Sequence, residues 1–267
     1  MIETLRPGAT AARARIALFD FDGTISTIRS GWIDVMVPMM VETLLDLKSG
    51  ESEKDLEAIV REYVGQLTGR QTIYQMIEFA DQIRKRGGTP RDPMLYKHRY
   101  LELLWERIKD RVDDLRHGRC APEKFMVPGS MDLLNALRER GLKMYLASGT
   151  DDAYMKEEAR LLGVTPYFDG GVFGALDDYK SFSKAILIQR IIGSAEASGD
   201  QLLGFGDGYV EIENVNQVGG VTVGVASDEP DCLKVDPWKR DRLAKVGAHY
   251  IVPNYLDQQL LATLFPK

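Results

Sequence analysis

A doubly wound α/β fold interrupted by one all-helical insertion is predicted by three features of this 267-residue chain. Short apolar runs alternate with amphipathic helical stretches. Most of those runs are apolar at nearly every position, and residues 27–125 contain no convincing strand pattern. Near-continuous apolar strands suit a parallel sheet covered on both faces. Alternation of strand and helix is how such a sheet is connected.

The first strand is read at Arg15–Phe19. The next clear ones are Lys143–Ala147, Leu202–Phe205, Val221–Val225 and Tyr250–Val252, with Gly171–Phe173 as a weaker member. Helices are expected at Ser130–Arg140, Asp152–Leu162, Phe182–Ile192, Val210–Val218 and Trp238–Val246. Gly141, Gly163, Gly193, Gly219 and Gly247 stand where helix C-termini turn. Between the first two strands come four helical patterns: Trp32–Leu47, Glu53–Leu67, Arg70–Arg86 and Pro93–Arg116. The third carries Ile73, Met76, Ile77, Ala80 and Ile83 on one stripe. With entry near Ser26–Gly31 and exit near Cys120–Pro128, the expected division is a core of residues 1–26 and 126–267 around a helical domain of 27–125.

Composition narrows the function. At 44% hydrophobic and 28% charged, the chain can bury a sizeable core. A net charge of −6 argues against nucleic acid or an anionic membrane as partner, but not against a small anionic substrate. Cys120 and Cys232, far apart and alone, form neither a disulfide framework nor a zinc cluster. No run of about 18 apolar residues occurs. A cytoplasmic protein is expected.

The chemistry-bearing residues fall at strand ends, where open α/β sheets place their ligands. Asp20 and Asp22 close the first strand two residues apart, so they leave it on the same side. Gly23 permits a sharp turn and close approach of backbone N–H groups to an anion, with Thr24 next. Two acids, a turn and a hydroxyl suit metal-assisted phosphoryl transfer. The second strand runs into Ser148-Gly149-Thr150 before a helix opens, a hydroxyl and free amides able to cradle phosphate; a plain helix cap is the bland alternative. The Leu202–Phe205 strand leads to Gly206-Asp207-Gly208, with Glu211 four residues on, suited to a hard cation if both acids share a helix face. Lys184 opens the preceding helix against the macrodipole, as a lysine reaching into the crevice would. Lys180 is its competitor.

Acid pair, hydroxyl, lysine, acid pair, in that order, resembles the four motifs of the haloacid dehalogenase-like (HAD) superfamily over nearly the whole chain. Asp20 and Asp22 fit the first motif, Ser148 the second, Lys184 the third, and Asp207 with Glu211 the fourth. The Lys184-to-Asp207 spacing resembles that of phosphoserine phosphatase-like members, which favours Lys184 over Lys180. The resemblance implies a Rossmann-like core with a C1 cap and no C2 cap. It also implies that Asp20 is the nucleophile and Asp22 the acid and base. Gly23, Thr24, Ser148, Gly149 and Lys184 would bind phosphate, and Mg²⁺ would be held by Asp20, the Asp22 carbonyl and Asp207, with Glu211 reaching it directly or through water. The family's fourth motif usually closes with Asp where this chain has Glu211. Members cleaving carbon–halogen bonds lack the second acid of the first motif, so Asp22 favours phosphate esters.

The implied activity is a Mg²⁺-dependent phosphatase acting on a small phosphorylated metabolite such as a sugar phosphate. The alternatives are a phosphomutase of the β-phosphoglucomutase type and a non-catalytic binding protein. Arg70, Gln71 and Trp32 are the helical domain's candidates for substrate choice. Met36, Met39 and Met40 read as its core. Tyr96, Tyr100 and Trp105 suit either stacking on a sugar or burial. His98, His117 and His249 show no ligand or triad spacing. Arg107, Lys109, Arg111, Arg116 and Arg119 interleave with acids as on a solvated helix.

Overall fold

The computed structural model describes residues 1–176, 183–194 and 197–266. Its seven strands are β1 (Glu3–Thr4), β2 (Ile16–Phe19), β3 (Lys143–Asp151), β4 (Gly171–Ala175), β5 (Leu202–Gly206), β6 (Val221–Val225) and β7 (Tyr250–Val252). They form one sheet in the order β1-β7-β6-β5-β2-β3-β4, parallel throughout except for β1 on β7. The central strand β2 is buried at all four positions, as its unbroken Ile-Ala-Leu-Phe requires. Phe19 stacks on Phe205 of β5 with ring centroids 4.4 Å apart, fixing the end of one strand against the next. The chain passes from β2 to β3 on one side and later returns to β5 on the other. The carboxyl end of β2 is therefore the switch point at which a crevice opens.

Four helices stand between β2 and β3: α1 (Ile33–Leu45), α2 (Glu53–Gln66), α3 (Thr72–Lys85) and α4 (Pro93–Arg116). Their apolar stripes meet one another, with Met36, Met40, Leu56, Val60, Met76, Phe79 and Leu104 buried. The chain enters and leaves this block side by side. Thr27 N–H donates to Phe125 O, and Val127 N–H to Ile25 O, both at 2.9 Å. Helices α5 (Ser130–Glu139), α6 (Asp152–Leu161), α7 (Lys184–Ser194), α8 (Tyr209–Gln217), α9 (Pro237–Lys245) and α10 (Gln259–Leu264) complete the fold. No helix among the described residues is long and apolar enough to cross a membrane.

The expected strands and helices all recur where they are described, with ends shifted by a residue or two except at the close of β3. Lys180 and Phe182 lie outside the described residues. Gly141, Gly163, Gly219 and Gly247 take the left-handed backbone of helix ends, whereas Gly193 stays inside α7. Strand β3 runs on through Ser148, Gly149 and Thr150 to Asp151, with an irregularity after Ala147. The expected hydroxyl cradle thus belongs to the end of a strand, not to a helix N-terminus. Two short elements, β1 and α10, carry too few residues to show a period. Arg111 departs from a solvated role: its guanidinium donates to Ile28 O and Ser30 O at 2.7 and 2.9 Å, tying α4 to the entry segment.

Candidate active site

Asp20 is buried at the carboxyl end of β2 and held by its neighbours. Its N–H donates to Phe205 O at 2.9 Å, and its Oδ1 accepts the Phe21 N–H at 2.8 Å. The ammonium of Lys184, first residue of α7, lies 2.9 Å from the same oxygen and also against Glu211. Lys184 and Glu211 are both buried. A lysine in this unfavourable first turn is balanced by two carboxylates.

Asp22 turns toward β3. Thr150 Oγ1 donates to its Oδ2 at 2.8 Å and Ser148 Oγ at 3.3 Å, while Arg29 Nε stands 3.9 Å from Oδ1. Burial pushes the Asp22 carboxyl up to about 7. The Arg29 charge opposes the rise, and the Glu158 and Asp20 charges add to it. A carboxyl that titrates near neutrality can both give and take a proton. Arg29 is itself clamped by Glu158 of α6, with N–O distances of 2.7, 3.0 and 3.2 Å and both partners buried.

Asp207 follows β5. Its N–H donates to Thr24 Oγ1 at 3.0 Å, so the fully buried Thr24 side chain joins the two acidic loops. Its Oδ2 lies 3.2 Å from the Lys239 ammonium, which is also 2.5 Å from Glu229 Oε1. Glu229 Oε2 accepts the Ser30 hydroxyl at 2.7 Å. Burial raises the Asp207 carboxyl, and the Lys239 charge resists. Gly23, at φ 70°, admits Asp207: a Cβ there would collide with the carboxylate.

Asp207 and Glu211 do not share a helix face. Helix α8 begins at Tyr209, after an extended Gly208, so Asp207 precedes the helix and only Glu211 belongs to it. Asp207 meets Lys239 and Glu211 meets Lys184.

A cavity of about 90 Å³ joins the strand ends to the helical block. The core contributes Asp20, Asp22, Ser148, Gly149, Thr150 and Asp207; Trp32, Arg70 and Tyr100 come from the block. Arg70 Nε donates to Tyr209 OH at 2.8 Å, and the Arg70 carbonyl abuts Gly149, where no Cβ fits. Gln71 borders an adjoining recess with Ser183 and Lys184. Met36 and Met40 are block core, Tyr96 packs edge-on against Phe79, and Trp105 is partly exposed. His249 bonds with Thr222, away from the cavity.

Arg29, Glu158, Glu229 and Lys239 are the site residues that sequence reasoning did not single out, and Thr150 was named only as part of the run after Ser148. Lys239 carries the same mark as Lys184, a lysine in the first turn of a helix. Arg29 and Glu158 stand 129 residues apart and leave no local signal.

Among the described residues no three Asp, Glu, His or Cys side chains converge as a metal cluster. Asp20 and Asp207 line the cavity together and repel one another, and Gly23 leaves the space beside them free of a Cβ. Their carboxylates offer hard oxygen donors. Both Glu211 oxygens are buried without a hydrogen-bond partner, their neighbour being the Lys184 ammonium.

A family model described as haloacid dehalogenase-like hydrolase matches residues 14–219, which include all four polar clusters. No curated protein matches the sequence. The fold is similar to that of a predicted phosphoglycolate phosphatase from Haemophilus somnus 129PT, with TM-score 0.58 and 14% identity over 94% of this chain and 98% of that one. It also resembles a phosphonoacetaldehyde hydrolase-like protein from Oleispira antarctica, with TM-score 0.60 and 12% identity over 97% of each chain. A HAD-hydrolase from Bacillus subtilis bound to magnesium gives TM-score 0.54 and 16% identity over 94% and 99%. At such identities the likeness speaks to the fold.

Proposed function

The chain belongs to the haloacid dehalogenase-like hydrolases, and we propose that it is a Mg²⁺-dependent phosphatase that hydrolyses a small phosphorylated metabolite through an aspartyl-phosphate on Asp20. The observation that carries this reading is the contrast between its two strand-end acids. Asp20 is pinned beside a buried ammonium, whereas Asp22 is bonded to two hydroxyls and titrates near neutrality.

Asp20 attacks the phosphorus in line, the bond from phosphorus to the leaving oxygen breaks, and Asp22 protonates that oxygen. Asp22 then takes a proton from the water that attacks the aspartyl-phosphate, releasing inorganic phosphate and restoring Asp20. Ser148, Lys184 and the amides of Gly23, Thr24 and Gly149 bind the phosphoryl oxygens as their charge shifts. A magnesium ion held by Asp20, the Asp22 carbonyl and Asp207 would neutralise repulsion between carboxylate and phosphate. Glu211 serves as the anchor of Lys184.

Residues 27–125 act as a cap, and residues 1–26 with 126–267 as the catalytic core. Arg70, Gln71 and Trp32 select the leaving group while the cap excludes water. Two free cysteines, Cys120 half-buried and Cys232 buried, fit the reducing cytoplasm.

A panel of phosphate monoesters, including sugar phosphates, tested with and without Mg²⁺ for released phosphate decides the matter. Wild type should release one phosphate per ester consumed only with the ion, and folded Asp20→Asn none. Near-normal turnover by Asp20→Asn, or isomerised substrate in place of free phosphate, would overturn the reading.

A further inference from the structure

Lys239 is a buried ammonium on α9, an element the mechanism does not use. Its Nζ lies 2.5 Å from Glu229 Oε1 and 3.2 Å from Asp207 Oδ2, with the side chains only 10–15% exposed. Both acids face the open side of Gly23. The position of a Gly23 Cβ would be 3.1 Å from Glu229 Oε1 and nearer still to Asp207 Oδ2. One wall of the cavity therefore carries two carboxylates and a single shared cation. The backbone of that cation is fixed, since Lys239 N–H donates to the Asp236 cap at 2.8 Å. The four-carbon stem beyond it is intrinsically flexible.

Two carboxylates sharing a desolvated wall repel unless a cation lies between them. An ammonium and a hard divalent ion seek the same oxygens. Whatever stabilises the ion-free form lowers the ion's affinity by the same free energy. We propose that Lys239 is a tethered counter-cation: its ammonium balances Asp207 and Glu229 in the ion-free protein and competes with the divalent ion for them. Lys239 and Glu229 thereby set the affinity of the ion at this wall. The inference rests on Asp207 being an ion ligand, as in the proposed function. Lys239 is a positioning residue, reaching substrate only through the acids it holds.

Titration of the full chain with Mn²⁺, followed by the electron paramagnetic resonance of free Mn²⁺, reads affinity without turnover. Lys239→Met should bind Mn²⁺ roughly tenfold more tightly, because a positive charge within ion-pair range is lost. Glu229→Gln should bind several-fold more weakly, because Lys239 then bears on Asp207 alone. Lys239→Arg keeps the charge and should stay near wild type. A merely structural role would weaken binding in both neutralised variants. If Lys239→Met alone fails to fold, the double variant Lys239→Met/Glu229→Gln leaves no surplus acid and should still bind more tightly than Glu229→Gln. Unchanged or weaker binding on loss of Lys239, with Asp207→Asn abolishing binding, overturns the inference alone. Mn²⁺ binding that is absent, or indifferent to Asp207→Asn, overturns both the inference and the ion site beneath it.

Discussion

Thr150 Oγ1 donates to Asp22 Oδ2 at 2.8 Å, tying the second acid of the first loop to the end of the neighbouring strand β3. That bond and the nearby Arg29 favour the carboxylate, yet burial outweighs them and leaves the carboxyl titrating at about 7. The acid is suited to proton transfer at a cost in stability.

The cost has a definite pH window. Asp22 ionises near 3.8 when unhindered and at about 7 in the folded chain. The folded state holds this proton more tightly, so stability falls as pH rises from about 4 to 7. Asp22→Asn cannot ionise and should be more stable than wild type by about 2 kcal/mol at pH 8, a few degrees in Tm. A carboxyl wholly shut off from water and raised this far would give about twice that gain. The 26% of the side chain left exposed, and the weaker acceptor that an amide oxygen offers the two hydroxyls, reduce it. Thermal melts without metal at pH 5 and pH 8 test this. An advantage that does not grow with pH would show that ionised Asp22 does not strain the fold, whereas turnover should be lost at either pH.

Lys184 stands between two buried acids, Asp20 and Glu211, and Glu211 has no other partner among the described residues. Lys184→Met should cost about 3 kcal/mol in urea unfolding, since a lost partner leaves buried charge uncompensated. Adding Glu211→Gln should recover most of that loss without restoring activity. A single variant as stable as wild type would show that the ammonium is not holding these acids.

The strand–helix alternation, the helical insertion and the four polar clusters could be read from the chain because each is written in neighbouring residues. A buried strand declares itself over four apolar positions, and Asp20, Ser148 and Asp207 each sit beside such a run, while Lys184 opens a helical one. Partnerships across the fold were hidden. Arg29 reads as an ordinary surface charge until α6 brings Glu158 to it, and Lys239 until α9 delivers it to Asp207. Asp207 and Glu211 were misjudged as one helix face because the four-residue rule holds only when both lie in the helix, and α8 starts between them.

The Arg29–Glu158 clamp joins the segment entering the helical block to α6 of the core. Glu158→Gln should destabilise by about 3 kcal/mol, because Arg29 keeps its charge in a buried place. Arg29→Met with Glu158→Leu should come back to within about 1 kcal/mol of wild type, since a buried pair is often no better than apolar packing. Turnover should stay low in the double variant, because Asp22 loses the charge that faces it. A double-mutant cycle in urea with a coupling below about 0.5 kcal/mol would mean that the pair is decorative.

Gly149 is the place where the loop from the helical block meets the core most closely. A Cβ there would run into the Arg70 carbonyl and come within 3.3 Å of Gln71 N. These obstacles are backbone atoms and cannot swing aside as a flexible side chain would, so Gly149→Ala must push residues 70–71 away from β3. The Arg70–Tyr209 bond and the seating of the block over the cavity should loosen together, while the sheet keeps its packing. The expected result is a KM for the best ester raised roughly tenfold, reflecting lost positioning by the loop, with Tm little changed. Cleavage by protease at the crossing segments, residues 26–31 and 120–128, should quicken. Gly193→Ala is the control: Gly193 lies inside α7 with open space around it, so its variant should keep the wild-type KM. If Gly149→Ala also leaves KM and protease sensitivity untouched, this close approach does not govern access to the cavity.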